Sequence, residues 1–237
     1  MTSPLPVAAR LAWWGTSWLR GAVSPDDLVD GVLADDVTHL VDGEPLLSAL
    51  LRVRSSGATC FGMALPREGA LVGLGGPAEL NAAALDAGEA VVAAGADVGL
   101  VPRRVGPTVE WTTYPAARRQ VPDIGEADRE LRATLLTAAE TLADLDVARW
   151  RPEVADELMD LRRLHVPAAP PGVPPRCAEL AARGLRAIGI ADLALADDGG
   201  ALTAEAAERR RGAIVPLELA GRRAVVAACS PEGWPPA

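Results

Sequence analysis

EAVVAAGADVGLVPRRVGPTVEWTTY, Glu89 to Tyr114, decides the fold class. It divides into three strand-like runs, EAVVAA, DVGLVPRRV and TVEWTTY, separated by glycine-containing turns. Pro102 has no N–H to give a ladder, so the middle run is expected at a sheet edge or as an irregular strand.

Working upstream, ATCFGMAL (Ala58–Leu65) reads as a buried strand. PREG is a turn, and ALVGL (Ala70–Leu74) is expected to pair back across it. GGPAELNAAALDAG (Gly75–Gly88) is a helix, with Pro77 at its first position, Glu79 in the first turn and Gly88 at the end. Residues 58–114 therefore form a β-rich centre, and the βαβ elements around Gly75–Gly88 leave room for a parallel pair. EPLLSALLRVRSSG is a helix with Leu46, Leu47, Leu50 and Leu51 inward, and DDVTHLVDG (Asp35–Gly43) is a short strand. SPDDL starts another helix. Ser24 caps it, Pro25 takes the first position, and Asp26 and Asp27 favour the positive end of its dipole.

The N-terminal stretch holds Trp13, Trp14 and Trp18, half of the six tryptophans. Val7, Leu11, Trp14 and Trp18 recur at helical spacing and make one apolar stripe. Three readings compete: a core anchor, a partner-binding face and a membrane foot. The stripe puts Trp14 and Trp18 in the core. Trp13 lies off it and is the better interface candidate, since Trp is enriched at protein contacts. Only Arg10 and Arg20 flank the helix in an acidic chain, which disfavours a membrane foot.

Downstream of Asp123 the pattern is helical. Leu131, Leu135, Ala138, Leu142 and Leu145 form a bundle-type seam, and a further helix restarts at Pro152. Residues 166–175 hold five prolines and one glycine and read as an extended linker. The remainder, 176–237, reads as helical, with an acidic turn at Asp197–Gly200 and with Pro216 expected to kink or restart its last helix. The fold expected is α+β: a central mixed or antiparallel sheet flanked by N-terminal helices, with a largely helical C-terminal half. Its organisation is a main domain 1–165 (helices across 123–163), a linker 166–175, and a segment 176–237 packed back on the main domain.

Composition narrows the function. The chain has 237 residues, is 49% hydrophobic and carries a net charge of −9. It can bury a sizeable core, and Ala-rich helices with Leu and Val should supply it. An acidic chain repels phosphate backbones, and the arginine pairs are scattered beside acids, so nucleic acid is not the expected partner. All 23 basic residues are Arg. The absence of Lys removes a Schiff-base lysine, a Walker A motif and a kinase-type nucleotide lysine. This all-Arg, Ala-rich style is that of a GC-rich bacterial genome. Cys60, Cys177 and Cys229 are far apart and form no CxxC, which suggests reduced thiols and neither a disulfide framework nor a zinc site. With no signal-type leader and no long apolar run, a soluble cytoplasmic protein is expected.

Four further candidates carry chemistry. The loop GLGGPAELN (Gly73–Asn81) could cradle an anion through Gly75 and Gly76, with Glu79 and Asn81 lining a pocket and Arg103 and Arg104 reaching across a strand. It is also a plain strand-to-helix turn, and it is not a GxGxxG dinucleotide motif. Asp35, Asp36, His39 and Asp42 could bind metal or act as acid and base, but a strand places Asp35 and His39 on one face and Asp36 and Asp42 on the other. With His165 isolated, no metal and no cofactor are expected. Cys60 lies in an apolar run and reads as a small buried hydrophobe, while Arg176 before Cys177 could lower that thiol's pKa. The acids from Asp123 to Asp160 lack the Glu-x-x-His pattern of a carboxylate bundle and read as a solvated face.

Elimination points to a non-catalytic interaction or regulatory protein, through a protein partner or self-association at Trp13, Trp14 and Trp18. The alternative is an enzyme or sensor that takes a small anionic ligand at the Gly73–Asn81 loop.

Overall fold

The computed structural model describes residues 5–144, 168–196 and 204–234. The helix expected at Pro152, the start of the linker, His165 and the Asp197–Gly200 turn lie outside the described residues.

The fold is α+β. Six strands form one mixed sheet in the order β2-β1-β6-β5-β4-β3: β1 Thr38–Val41, β2 Glu44–Pro45, β3 Cys60–Ala64, β4 Ala90–Ala94, β5 Val98–Val105 and β6 Thr108–Pro115. The helices are α1 Val7–Leu19, α2 Pro25–Leu33, α3 Leu46–Ser55, α4 Ala78–Ala87, α5 Ile124–Asp144, α6 Pro175–Ala196 and α7 Ala204–Ala228.

The three decisive runs become β4, β5 and β6, an antiparallel meander. Pro102 does not put β5 at an edge, because β5 lies between β4 and β6. The pairing with β4 stops at Leu100, however, so Pro102 sits where β5 has outrun its neighbour and its missing N–H breaks no bond on that side. The parallel pair is not around α4, since β3 and β4 are antiparallel. It joins β1 to β6, with His39 opposite Val109 and Val41 opposite Trp111. Ala70–Leu74 adds no strand. It turns back through the Arg67–Ala70 bridge and the Leu65 N–H to Val72 O bond.

Alternation along β5 assigns the two sheet faces. Leu100 points into the main core under α1, while Gly99 and Val101 meet α4. A Cβ on Gly99 would lie 2.7 Å from Leu80, so glycine there lets α4 sit directly on the sheet. Helix α1 lies on β3 and β4 and is buried on nearly every side. Its N-cap is Pro6, which offers no side-chain acceptor; the Glu89 carboxylate takes that role, accepting from Ala8 N–H at 2.9 Å. Helix α2 begins at the expected Ser24 cap, and the Asp27 side chain reaches back to the Ser24 N–H to complete a capping box.

Helices α5, α6 and α7 pack on one another. Gly184 of α6 and Gly221 of α7 meet back to back, each Cβ position within 3 Å of the other's carbonyl oxygen. Ala178, Ala181, Ala187, Ala220 and Ala224 fill the rest, the Ala-rich packing expected. Pro216 lies inside α7, which runs through it without a restart. After α7 the chain returns to the sheet: Cys229 O accepts from Met63 N–H at 3.0 Å, so the β3 edge is covered.

Candidate functional site

The Trp cluster proves to be largely interior. Trp13 is fully buried, and its Nε1 donates to Ala228 O at 3.1 Å. Trp18 is buried with the Arg54 guanidinium 5.0 Å over its ring. Trp14 is half-buried against Gly31, where a Cβ would lie 2.2 Å from the indole. The core expectation holds for Trp18, only in part for Trp14, and the surface expectation for Trp13 is overturned. Trp13 offers no surface to a partner, because α1 is covered on the sheet side and again by the end of α7.

Asp36 and His39, expected on opposite faces, come together because Asp36 precedes β1 and is not in it. His39 is buried. The Trp111 indole donates to His39 Nδ1 at 3.3 Å, so Nδ1 is unprotonated and Nε2 carries the hydrogen toward Asp36 Oδ2 at 3.2 Å. Asp36 also receives Arg10 Nη2 at 2.6 Å and Arg104 Nη1 at 2.5 Å, and Arg10 Nη1 donates to Leu33 O at 2.8 Å. Burial alone would raise the Asp36 pKa, but hydrogen bonds from Arg104, Arg10 and His39 outweigh it and hold it at about 2. Burial lowers the His39 pKa, against the pull of Asp36. The cluster is a buried network that ties α1, α2 and β5 to β1, with Arg10 Nε its one buried nitrogen left without a hydrogen-bond partner. Asp35 is exposed, and Asp42 is occupied by Thr113. Among the described residues no three His, Cys, Asp or Glu side chains group as metal ligands.

The cysteines are buried and free. Burial pushes Cys60 and Cys177 each up to about 11; Arg176 does pull the Cys177 thiol down, but by less than burial raises it. Cys229 is raised further still. Thiols held protonated are poor nucleophiles.

The glycine loop spends its polar groups on itself. Asn81 Oδ1 accepts from Gly76 N–H at 3.1 Å, and Gly76 O accepts from Ala117 N–H at 2.9 Å. Gly75 lies against the Arg118 backbone, where a Cβ would come within 2.3 Å, and Glu79 points to solvent. Gly73 and Leu74 border a cleft of about 500 Å³ that also contains Glu126, Glu130 and Arg223. Asn81 does not join Arg103 and Arg104.

Those two arginines line a different cleft, of about 560 Å³, between α4 and the β5–β6 pair. Its floor is Val101 and Thr112, and Ala83 and Ala87 form the α4 wall. Tyr114 stands on the floor, with Asp86 and Glu89 at the end nearest the α4 C-terminus. Arg103 is exposed and gives one Nη2 bond to Glu110 at 2.6 Å, leaving most of its five donors free. Arg104 is committed to Asp36. The Tyr114 and Thr112 hydroxyls and the Asp86 carboxylate have no protein partner among the described residues. Of the residues lining this cleft, Arg103 and Arg104 are among the sequence candidates, and Asp86, Glu89, Thr112 and Tyr114 are not. That Tyr114 is the one Tyr of the chain was the available signal.

His39, Asp36 and Glu89 each contribute to the pH dependence of stability, as do Asp27, in the sense of Asp36, and Asp192, in the sense of Glu89. His39 and Asp36 both bind protons more weakly when folded. Their contributions are present above the ordinary values of 6.5 and 3.8 and are lost as pH falls below each. Glu89 has the opposite sign. Burial raises its pKa above 4.5, so its contribution is lost as pH rises. The double variant Glu89→Gln with Asp192→Asn keeps an acceptor for Ala8 and removes both opposing titrations, since burial raises Asp192 as well. In this variant the melting temperature should fall steadily from pH 7 to pH 5 by calorimetry, and a flat profile there would show that His39 is not the group responsible.

The fold is that of an α+β protein with a cleft between a helix and its sheet and a helical C-terminal half. The chain belongs to the Rv1486c-like protein family: residues 8–126 match the family's N-terminal domain and 125–226 its C-terminal domain. The division falls at the start of α5. No curated protein and no solved structure matches the chain. Among the described residues no helix is long and apolar enough to cross a membrane.

Proposed function

We propose that the protein is a cytoplasmic, non-catalytic regulatory protein that acts by binding, and that the α4/β5–β6 cleft receives a small anionic ligand at Arg103. The observation that carries this reading is the cleft itself. It has the size of a small-molecule site and holds an under-used guanidinium beside two unpartnered hydroxyls. The buried roles of His39 and the cysteines support binding over catalysis, and three free thiols fit a reducing compartment. Calorimetric titration with inorganic phosphate, citrate and butanoate tests it. A binding anion should raise the melting temperature by about 3 °C at ten times its dissociation constant. Arg103→Gln should abolish the effect. Failure of every anion, or an unchanged response in the variant, defeats the reading.

A second reading is favoured by the uncovered part of the same sheet face. Leu40 and Tyr114 are half-exposed there, and Val105 is exposed. That strip suits a protein partner or a second copy of the chain. Light scattering that finds a monomer at every concentration would remove the second-copy version.

A further inference from the structure

Glu89 sits where the α4/β5–β6 cleft meets the first turn of α1. It lines the cleft with Val7, Arg103 and Arg104. Counted back from Val91 opposite Leu100, the β4–β5 register sets Glu89 beside Pro102, one residue from Arg103. Its Oε2 accepts from Ala8 N–H at 2.9 Å. The charged groups around it are Arg10 of α1, Arg103 and Arg104 of β5 and Asp86 of α4, and Tyr114 is the other titratable side chain of the cleft. Arg10 and Arg104 are both bound to Asp36, so neither is a full counter-charge for Glu89. Burial favours the neutral carboxyl over their attraction. An anion held at Arg103 places a second negative charge in the same space. Two like charges in one site favour protonation of one of them. A protonated Glu89 still accepts from Ala8 through its carbonyl oxygen, and its O–H becomes a donor to an anion.

We propose that an anion enters this cleft together with a proton, which the Glu89 carboxyl takes up, so that the cleft loads at low pH and releases its ligand as pH rises. This rests on the cleft being an anion site, as proposed above, and adds the regulation of that site. The proton comes from solvent and resides on one Glu89 oxygen; no covalent bond to the ligand is made or broken. By linkage, the affinity tightens as pH falls through the interval between the titrations of Glu89 without and with the anion, and Glu89 adds no slope outside it.

The test uses the full chain with phosphate, citrate and butanoate, and with sulfate, which keeps its charge from pH 5 to pH 8. Titration calorimetry in two buffers of different ionisation enthalpy counts the protons bound with each anion. The wild type should bind about tenfold more tightly below the interval than above it and take up about half a proton per anion in its middle, beyond any proton the anion itself carries. Glu89→Gln keeps an acceptor for Ala8 and has a permanent N–H donor. It should lose both the slope and the uptake, and bind at pH 7 about as tightly as the wild type does below the interval. The melting temperature without ligand establishes that the variant is folded. If it is not, the wild-type count decides, and no uptake between pH 5 and pH 8 overturns the proposal. An equal count in wild type and Glu89→Gln overturns it too, as does an uptake lost in Asp86→Asn instead, and in each case the anion reading stands. If no anion binds, both fall.

Discussion

Asp36→Ala should destabilise the fold by about 3–5 kcal/mol, the loss expected when one partner of a buried ion pair is removed. Asp36 and Arg10 are both buried, with side-chain exposures of 8% and 7%. Without the carboxylate, Arg10 retains only Leu33 O among its hydrogen bonds, and a guanidinium is too basic to neutralise itself. His39 Nε2 loses its acceptor at the same time, and Trp111 still holds the other ring nitrogen. Arg104 contributes little to the loss, because its head is 58% exposed and water replaces the carboxylate. Asp36→Asn should fall between wild type and Asp36→Ala, since it keeps an acceptor but loses the charge. The pair Arg10→Met with Asp36→Leu should recover much of the stability by removing the stranded charge, less the cost of the unpaired His39 N–H. Urea unfolding of the four proteins measures this. If Asp36→Ala costs under about 1 kcal/mol, the network is not what joins α1 and α2 to the sheet.

Much of this architecture can be read locally, and the exceptions have physical causes. Ser24, Pro25 and Asp27 announce α2 because a helix start is written in adjacent residues. The β4–β5–β6 meander is legible for the same reason. Its turns are short, and its strands alternate or run apolar. The β1–β6 pairing joins Thr38 to Thr108, seventy residues apart, and no local pattern encodes it. The Asp36–His39 contact was hidden by assuming that the strand begins at Asp35. It begins at Thr38, and the residues before it do not follow the two-residue alternation. The cleft also depends on tertiary placement. Asp86 and Arg103 are seventeen positions apart, and they line one space only because α4 lies across β5 and β6.

Trp13 illustrates the same point on a helix, and its replacement should have the other large effect. A stripe at helical spacing identifies a buried face only when the opposite face meets water. In α1 the off-stripe positions Ala9, Ala12, Trp13 and Ser17 are buried as well, and Ser17 Oγ donates to Pro171 O at 2.8 Å. Trp13 thus joins the sheet layer to the C-terminal unit, through its packing and through the Nε1 bond to Ala228 O. Trp13→Ala should cost about 3–5 kcal/mol, the range for deleting a large buried aromatic. Trp13→Phe should cost less, keeping most of the apolar volume and losing mainly the bond to the carbonyl. An interface anchor behaves differently. Its removal leaves unfolding of the monomer nearly unchanged and alters the mass in solution. Urea unfolding and light scattering on the same variants separate the two roles. A stable fold with dissociated oligomers in Trp13→Ala would return Trp13 to the surface, whereas loss of stability at constant mass establishes it as the internal tie between the two halves.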